Sequence, residues 1–348
     1  MGEGGAGVKL WLAVSYSTVN PANGALAAYP QCFLLAEITG MHDCENSALH
    51  VVTASLSSFS NLLDNHAAKL LREGRLEEAL RAAATALGGL REAVEMDPRN
   101  LPDLFSGLQL LAAIQRELGD AVGAEAACGE ALEIAARSDA VPRGEVARVR
   151  TQLATLLDFS QREAEAAPLY EQAIADYEAL TPPDVETAAQ LRNNLAMIYK
   201  GLGRYALAEQ HYLRALETLE ARRGRSSEDV GSVYNNLGSL YYTAGFPMQA
   251  AEMFGEALDI RRQLLGPDHP DVGQSYGNLA TVSHALADDA AALGHFEQSL
   301  RILEQHANED PASFEAVALD CLALLERLGE ERKAAALRRR IDKALGRS

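Results

Sequence analysis

Apolar residues along this chain recur at helical spacing, and the helices they predict recur in turn. Leu195, Ala196 and Tyr199 fall on one stripe of a helix, and Ala208, Tyr212, Ala215 and Leu216 on one stripe of the next. Spacings of three and four put such residues on a single face, the mark of a helix buried on one side. Asn194, Asn236 and Asn278, each followed by Leu, stand 42 residues apart. The same step runs through Ala124, Ala166, Ala208, Ala250, Ala292 and Ala334, and through Tyr170, Tyr212, Phe254 and Phe296. A register held this long without insertion predicts a stack of like units. Each unit is a pair of helices too small to bury its own stripe, so neighbours must cover it. The alanines let helices approach closely, and the aromatics fill the gaps between pairs.

Polar residues and breakers mark the joints. Gly119, Gly201, Gly203, Gly245 and Gly329 lie between the two stripes of their units, where a left-handed turn ends the first helix. Between units the sequence turns polar and Pro-bearing, as in Thr181-Pro182-Pro183-Asp184 and Gly266-Pro267-Asp268-His269-Pro270. A looser copy of the pattern begins near His66. At the far end Cys321 to Leu345 supplies a pair with basic last turns (Arg338, Arg339, Arg340, Lys343), the polar outer face that a terminal cap needs. The expectation is an all-α chain: a right-handed superhelical solenoid of about seven antiparallel helix pairs over residues 58–346, the last pair a cap. Residues 1–57 do not repeat and are expected to form a separate, partly flexible segment.

Tyr234, Leu237, Gly238 and Tyr241, followed by Ala250, Phe254 and Ala257, resemble the tetratricopeptide repeat signature. The unit is longer than the usual repeat of about 34 residues and has no regular closing Pro. With Asn-Asn-Leu-Ala at 193–196 and the linker from Leu265 to Val272, the expanded form is similar to kinesin light chain repeats and their bacterial relatives. The resemblance implies that first helices line the concave side of a superhelix. It also implies a binding rather than a catalytic role, with a protein or peptide as partner.

Composition narrows the alternatives. The chain carries 31 basic and 49 acidic residues, a net charge of -18, which repels phosphate backbones and argues against nucleic acid. No apolar run approaches the roughly 18–20 residues that span a bilayer, so no membrane partner is expected. Cys32, Cys44, Cys128 and Cys321 are scattered without CxxC pairing, which predicts free thiols in the cytoplasm. Cys32, His42 and Cys44 have no metal-ligand spacing. The glycines from Gly2 to Gly7 are not followed by the Lys and Ser or Thr of a phosphate loop. No nucleophile, base or paired-carboxylate constellation stands out. Neither catalytic residues, nor a cofactor, nor a metal is expected.

Helical geometry at about 100° per residue then defines the face of each first helix opposite its core. Over four successive units the charged residues on this face, histidine aside, are Arg148, Asp158 and Lys200, in a chain that is 23% charged. Amides and hydroxyls take their place. The candidate partner-binding residues are Gln152, Gln190, Asn193, Asn194, Lys200, Asn235, Asn236, Ser239, Tyr242, Gln274, Asn278 and Thr281. Amides donate and accept, which suits the backbone of an extended segment. The same Asn column could instead join neighbouring first helices. Acidic residues also gather where first helices begin (Asp184, Glu186, Glu228, Asp229, Asp268, Asp271, Glu309, Asp310), either to cap them or to form an edge for a basic partner. The function expected is a non-catalytic protein- or peptide-binding scaffold. The alternative is a regulatory receptor whose groove binds a peptide and switches a second surface.

Overall fold

The computed structural model describes residues 65–347. The expectations for residues 1–57, and for Cys32, His42 and Cys44, lie outside them. Contacts divide the described residues into two units, which meet at Pro183 and Asp184.

The first unit holds α1 (65–72), α2 (Leu76–Met96), α3 (Leu101–Glu117), α4 (Ala121–Ala135), α5 (Arg143–Phe159) and α6 (Glu163–Glu178). The second holds α7 (Val185–Gly201), α8 (Tyr205–Arg223), α9 (Glu228–Thr243), α10 (Pro247–Leu265), α11 (Pro270–Ala285), α12 (Asp289–Leu303), α13 (Pro311–Arg327) and α14 (Glu331–Ala344). The described residues contain no strand.

Helices pair as hairpins. In α9 and α10, Gly231 lies against Ile260 and Gly238 against Phe254, so residue numbers rise along one helix as they fall along the other. In α5 and α6, Arg150 reaches Asp176 and Thr155 bonds Tyr170 in the same antiparallel sense. The all-α array of antiparallel helix pairs expected from the 42-residue register is therefore the fold.

The core is the repeating stripe. Ala124, Ala166, Ala208, Ala250 and Ala292 are all fully buried, as the close approach of paired helices demands. Tyr170, Tyr212, Phe254 and Phe296 are buried four residues further on. Leu216 differs from expectation: it is only half-buried, and Leu219, one turn later, enters the core instead. Arg338 occupies the aromatic position in α14, stays exposed and pairs with Glu326, so the last pair has a polar outer face.

The turn inside each pair is left-handed. Gly119, Gly203, Gly245 and Gly329 have φ of 77°, 71°, 84° and 71°. Gly201 is not such a turn residue; it is the last residue of α7. Gln161 and Ala287 occupy the same column in two further pairs, at φ 59° and 62°, and Gly74 makes the turn between α1 and α2 at φ 74°. No helix among the described residues is long and apolar enough to cross a membrane.

Candidate partner-binding groove

The second unit presents its first helices α7, α9 and α11 in succession. Each turns one face inward, through Leu195 and Ala196, then Leu237 and Gly238, then Ala280. The opposite face carries the amides. Asn193, Asn194, Asn235, Asn236 and Asn278 are half-buried there, as are Gln190, Lys200, Ser239 and Thr281, while Gln274 and Tyr242 are exposed.

The amides are tied to one another across helices. Asn236 Nδ2 donates to Asn193 Oδ1 at 3.0 Å, and Asn278 Nδ2 donates to Asn235 Oδ1 at 2.9 Å. Within α7, Asn193 Nδ2 reaches Asn194 Oδ1 at 3.5 Å. The bridges run diagonally, from the second Asn of one unit to the first Asn of the unit before. An amide offers two N–H donors and a carbonyl oxygen, so one bridge uses part of its capacity. Further along, Lys200 Nζ donates to Ser239 Oγ at 2.6 Å, and burial holds the lysine below its ordinary pKa. Thr281 Oγ1 is turned back onto the Gly277 carbonyl at 3.1 Å.

A cavity of about 540 Å³ opens on this face, lined by Asn235, Asn236, Ser239, Tyr242, Gln274, Asn278 and Thr281. Gln190, Asn193, Asn194 and Lys200 are outside its lining, though Asn193 and Lys200 bond residues that line it. Gln152 belongs to α5 in the first unit, half-buried, its Oε1 shielded and without a hydrogen-bond partner.

The cavity also takes residues that the first-helix pattern could not supply. Leu264 and Leu265, at the end of α10, are exposed at 46% and 36% and line it with Arg261, Glu228 and Asp271. A signal existed for the leucines: two adjacent apolar residues just before Gly266 cannot both face the core. Arg261 is mostly buried, which lowers its pKa; its Nη1 donates to Ser275 Oγ at 2.8 Å and to the Asp271 carbonyl at 3.3 Å.

The acidic residues at helix starts are largely spent inside the fold. Asp184 and Asp310 cap α7 and α13 through the backbone N–H of Thr187 and Ser313. Arg223 joins Glu186 and Asp229, and Arg301 joins Asp268. Helix capping and local pairing therefore account for most of the edge. His269 likewise caps α11, its Nδ1 accepting from Asp271 N–H at 3.2 Å. Among the described residues no group of three or more His, Cys, Asp or Glu side chains is placed to hold a metal ion.

A tetratricopeptide repeat family model matches residues 187–255 and 229–305. The crystal structure of BtubC (BKLC) from P. vanneervenii is similar at 32% identity and a TM-score of 0.53, over 68% of this chain and 92% of that one. A Podosopora anserina putative kinesin light chain with nearly identical TPR-like repeats is similar in fold at 20% identity and a TM-score of 0.51, over 60% and 98% of the two chains. The apo form of RapI shares the fold at 14% identity and a TM-score of 0.55, over 82% and 97%. No curated protein matches the sequence. With the 42-residue unit, the buried alanine and aromatic columns and these likenesses together, the chain belongs to the tetratricopeptide repeat family, in its kinesin light chain-like form.

Proposed function

We propose that this protein is a non-catalytic scaffold that holds an extended segment of a protein partner against the first-helix face of residues 184–347. One observation carries the reading. Two successive first helices, α9 and α11, supply amide and hydroxyl groups to a single cavity of about 540 Å³ whose sides include Tyr242, Leu264 and Leu265. Neutral groups that donate and accept match a peptide backbone, and the apolar sides give its side chains surface to cover. The partner-contacting residues are Gln190, Asn193, Asn194, Lys200, Asn235, Asn236, Ser239, Tyr242, Gln274, Asn278 and Thr281 in the second unit, and Gln152 in the first unit taken by itself. Free, buried Cys128 and Cys321 fit a reducing cytoplasm.

Site-specific photo-crosslinking in the native cell tests this. A crosslinker replacing exposed Gln274 in the groove should capture a protein partner, and one replacing exposed Asp259 on α10 should not. Equal capture from both positions, or none from Gln274, overturns the reading.

A further inference from the structure

The groove differs in charge across its width. α9 begins at Glu228 and α11 begins beside Asp271, and both carboxylates line the cavity. Ser239 lines it eleven residues further along α9, about 16 Å at 1.5 Å per residue, and there it holds the ammonium of Lys200. Between the two margins lie the bridged amides of Asn235 and Asn236, which carry no charge. Helix dipoles favour acids at helix starts and bases at helix ends, which explains the placement of such charges in general. It does not explain why Glu228 and Lys200 remain unpaired, whereas Asp271 lies 3.8 Å from His269 Nδ1. Glu186, Asp229 and Asp268 obey the same preference and are consumed by Arg223 and Arg301. Among the described residues neither Glu228 nor Lys200 has an ion-pair partner; Lys200 gives one of its three donors to a hydroxyl.

The remaining charges nearby do not erase the polarity. Arg261 offsets part of the negative margin, but it is mostly buried and turned onto Ser275 and the Asp271 carbonyl. On the cationic side Arg327 donates to His284, itself held by Asp289 at 2.5 Å, and its guanidinium keeps its charge, so it adds to the positive charge of Lys200 rather than cancelling it. Exposed Leu264 and Leu265 flank the carboxylates. That pairing suits a long basic side chain, whose methylene stem covers apolar surface while its head meets the acid.

An extended segment lying across the helices sends alternate side chains to opposite sides. We infer that the groove selects an extended peptide whose alternate residues differ in charge, one row basic toward Glu228 and Asp271 and the other acidic toward Lys200. The inference rests on the groove reading above and adds the partner's charge pattern to it.

Two octapeptides of identical composition provide the probe. In one, Lys and Glu alternate; in the other they come as Lys-Lys-Glu-Glu blocks, which place both signs on both sides. Each is acetylated, amidated and fluorescently labelled, and binding to the full chain is read by anisotropy at low salt. The alternating peptide should bind at least about threefold tighter, the scale of one to two exposed ion pairs. Lys200→Glu and Glu228→Lys should each weaken it. The double variant should restore most of the binding, because the reversed peptide presents its rows to the swapped margins. Equal affinity of the two peptides, no binding of either, or no rescue in the double variant overturns the inference. Gln274→Trp, which obstructs the groove, separates the two levels of the proposal. If both peptides bind equally but lose binding in that variant, only the charge pattern fails. If binding survives the obstruction, the groove reading fails as well.

Discussion

Asn236 donates from Nδ2 to Oδ1 of Asn193 across 3.0 Å, so an amide of the groove face also joins the first helices of two successive pairs. Asn278 and Asn235 repeat the bond one pair later at 2.9 Å. The two uses of the column, contact with a partner and cohesion of the array, therefore share the same side chains. Removing them should cost stability as well as affinity. Asn236→Ala with Asn278→Ala should lower unfolding free energy by about 1–3 kcal/mol, two hydrogen bonds at their usual net value. Urea unfolding measures this, and a midpoint equal to that of the parent would show that the bridges contribute nothing.

Close packing inside a pair is testable at two glycines of one hairpin. A Cβ at Gly238 would stand 2.7 Å from Cδ1 of Phe254, a buried ring with little room to move. Gly238→Ala should cost about 1–3 kcal/mol by overpacking. Gly255, seventeen residues on within α10, has nothing within 4 Å of the same position. Gly255→Ala should instead add about 0.5–1 kcal/mol through helix propensity. Thermal unfolding of the two variants should move in opposite directions.

The turn column offers stabilisation of another kind. Gln161 and Ala287 sit at φ 59° and 62°, in positions where other pairs use glycine. A side chain there crowds the following carbonyl, at about 1 kcal/mol or more. Glycine relieves that crowding but frees the unfolded chain, so the net gain is smaller. Ala287→Gly should raise stability by about 0.5–1 kcal/mol. A lower unfolding midpoint would mean that the left-handed turn is not strained in solution.

His295 links stability to pH. Desolvation lowers its imidazole pKa, and its ring contacts Ser283 at 3.2 Å and packs on Tyr276. The unfolded chain takes up the proton at the ordinary value near 6.5, before the folded chain does. Stability from this group is therefore full above that value and falls as the pH drops from it toward the lower folded value. His295→Gln should flatten the decline between pH of about 7.5 and 5. An identical decline in parent and variant would assign it to other groups.

Cys128 and Cys321 are free and buried, and burial pushes their thiols up to about 12 and about 11. Neither should react with a thiol reagent at neutral pH while folded, and both should react in denaturant. Peptide mapping after labelling distinguishes the outcomes; rapid native labelling of Cys128 would contradict its place in the core.

The repeating unit follows from the order of residues alone. Alanine and aromatic columns at constant spacing leave one way to bury both stripes of a helix pair, so helix, hairpin and stacking were legible in Ala208, Tyr212 and their counterparts. The amide-rich face was legible too, because helical geometry sets which side of α9 carries Asn235 and Asn236. What those amides touch was decided by tertiary structure. The diagonal bond from Asn236 to Asn193 depends on the offset between neighbouring first helices, which no single-helix pattern contains. The same holds for the cavity's other side, where Leu264, Leu265 and Arg261 arrive from a second helix, and for the acids at helix starts. Asp229 and Asp268 look alike in sequence to Glu228, yet Arg223 and Arg301 neutralise the first two and not the third. Periodicity reports which face a residue occupies; distance between faces, and hence pairing, exists only once the helices are packed.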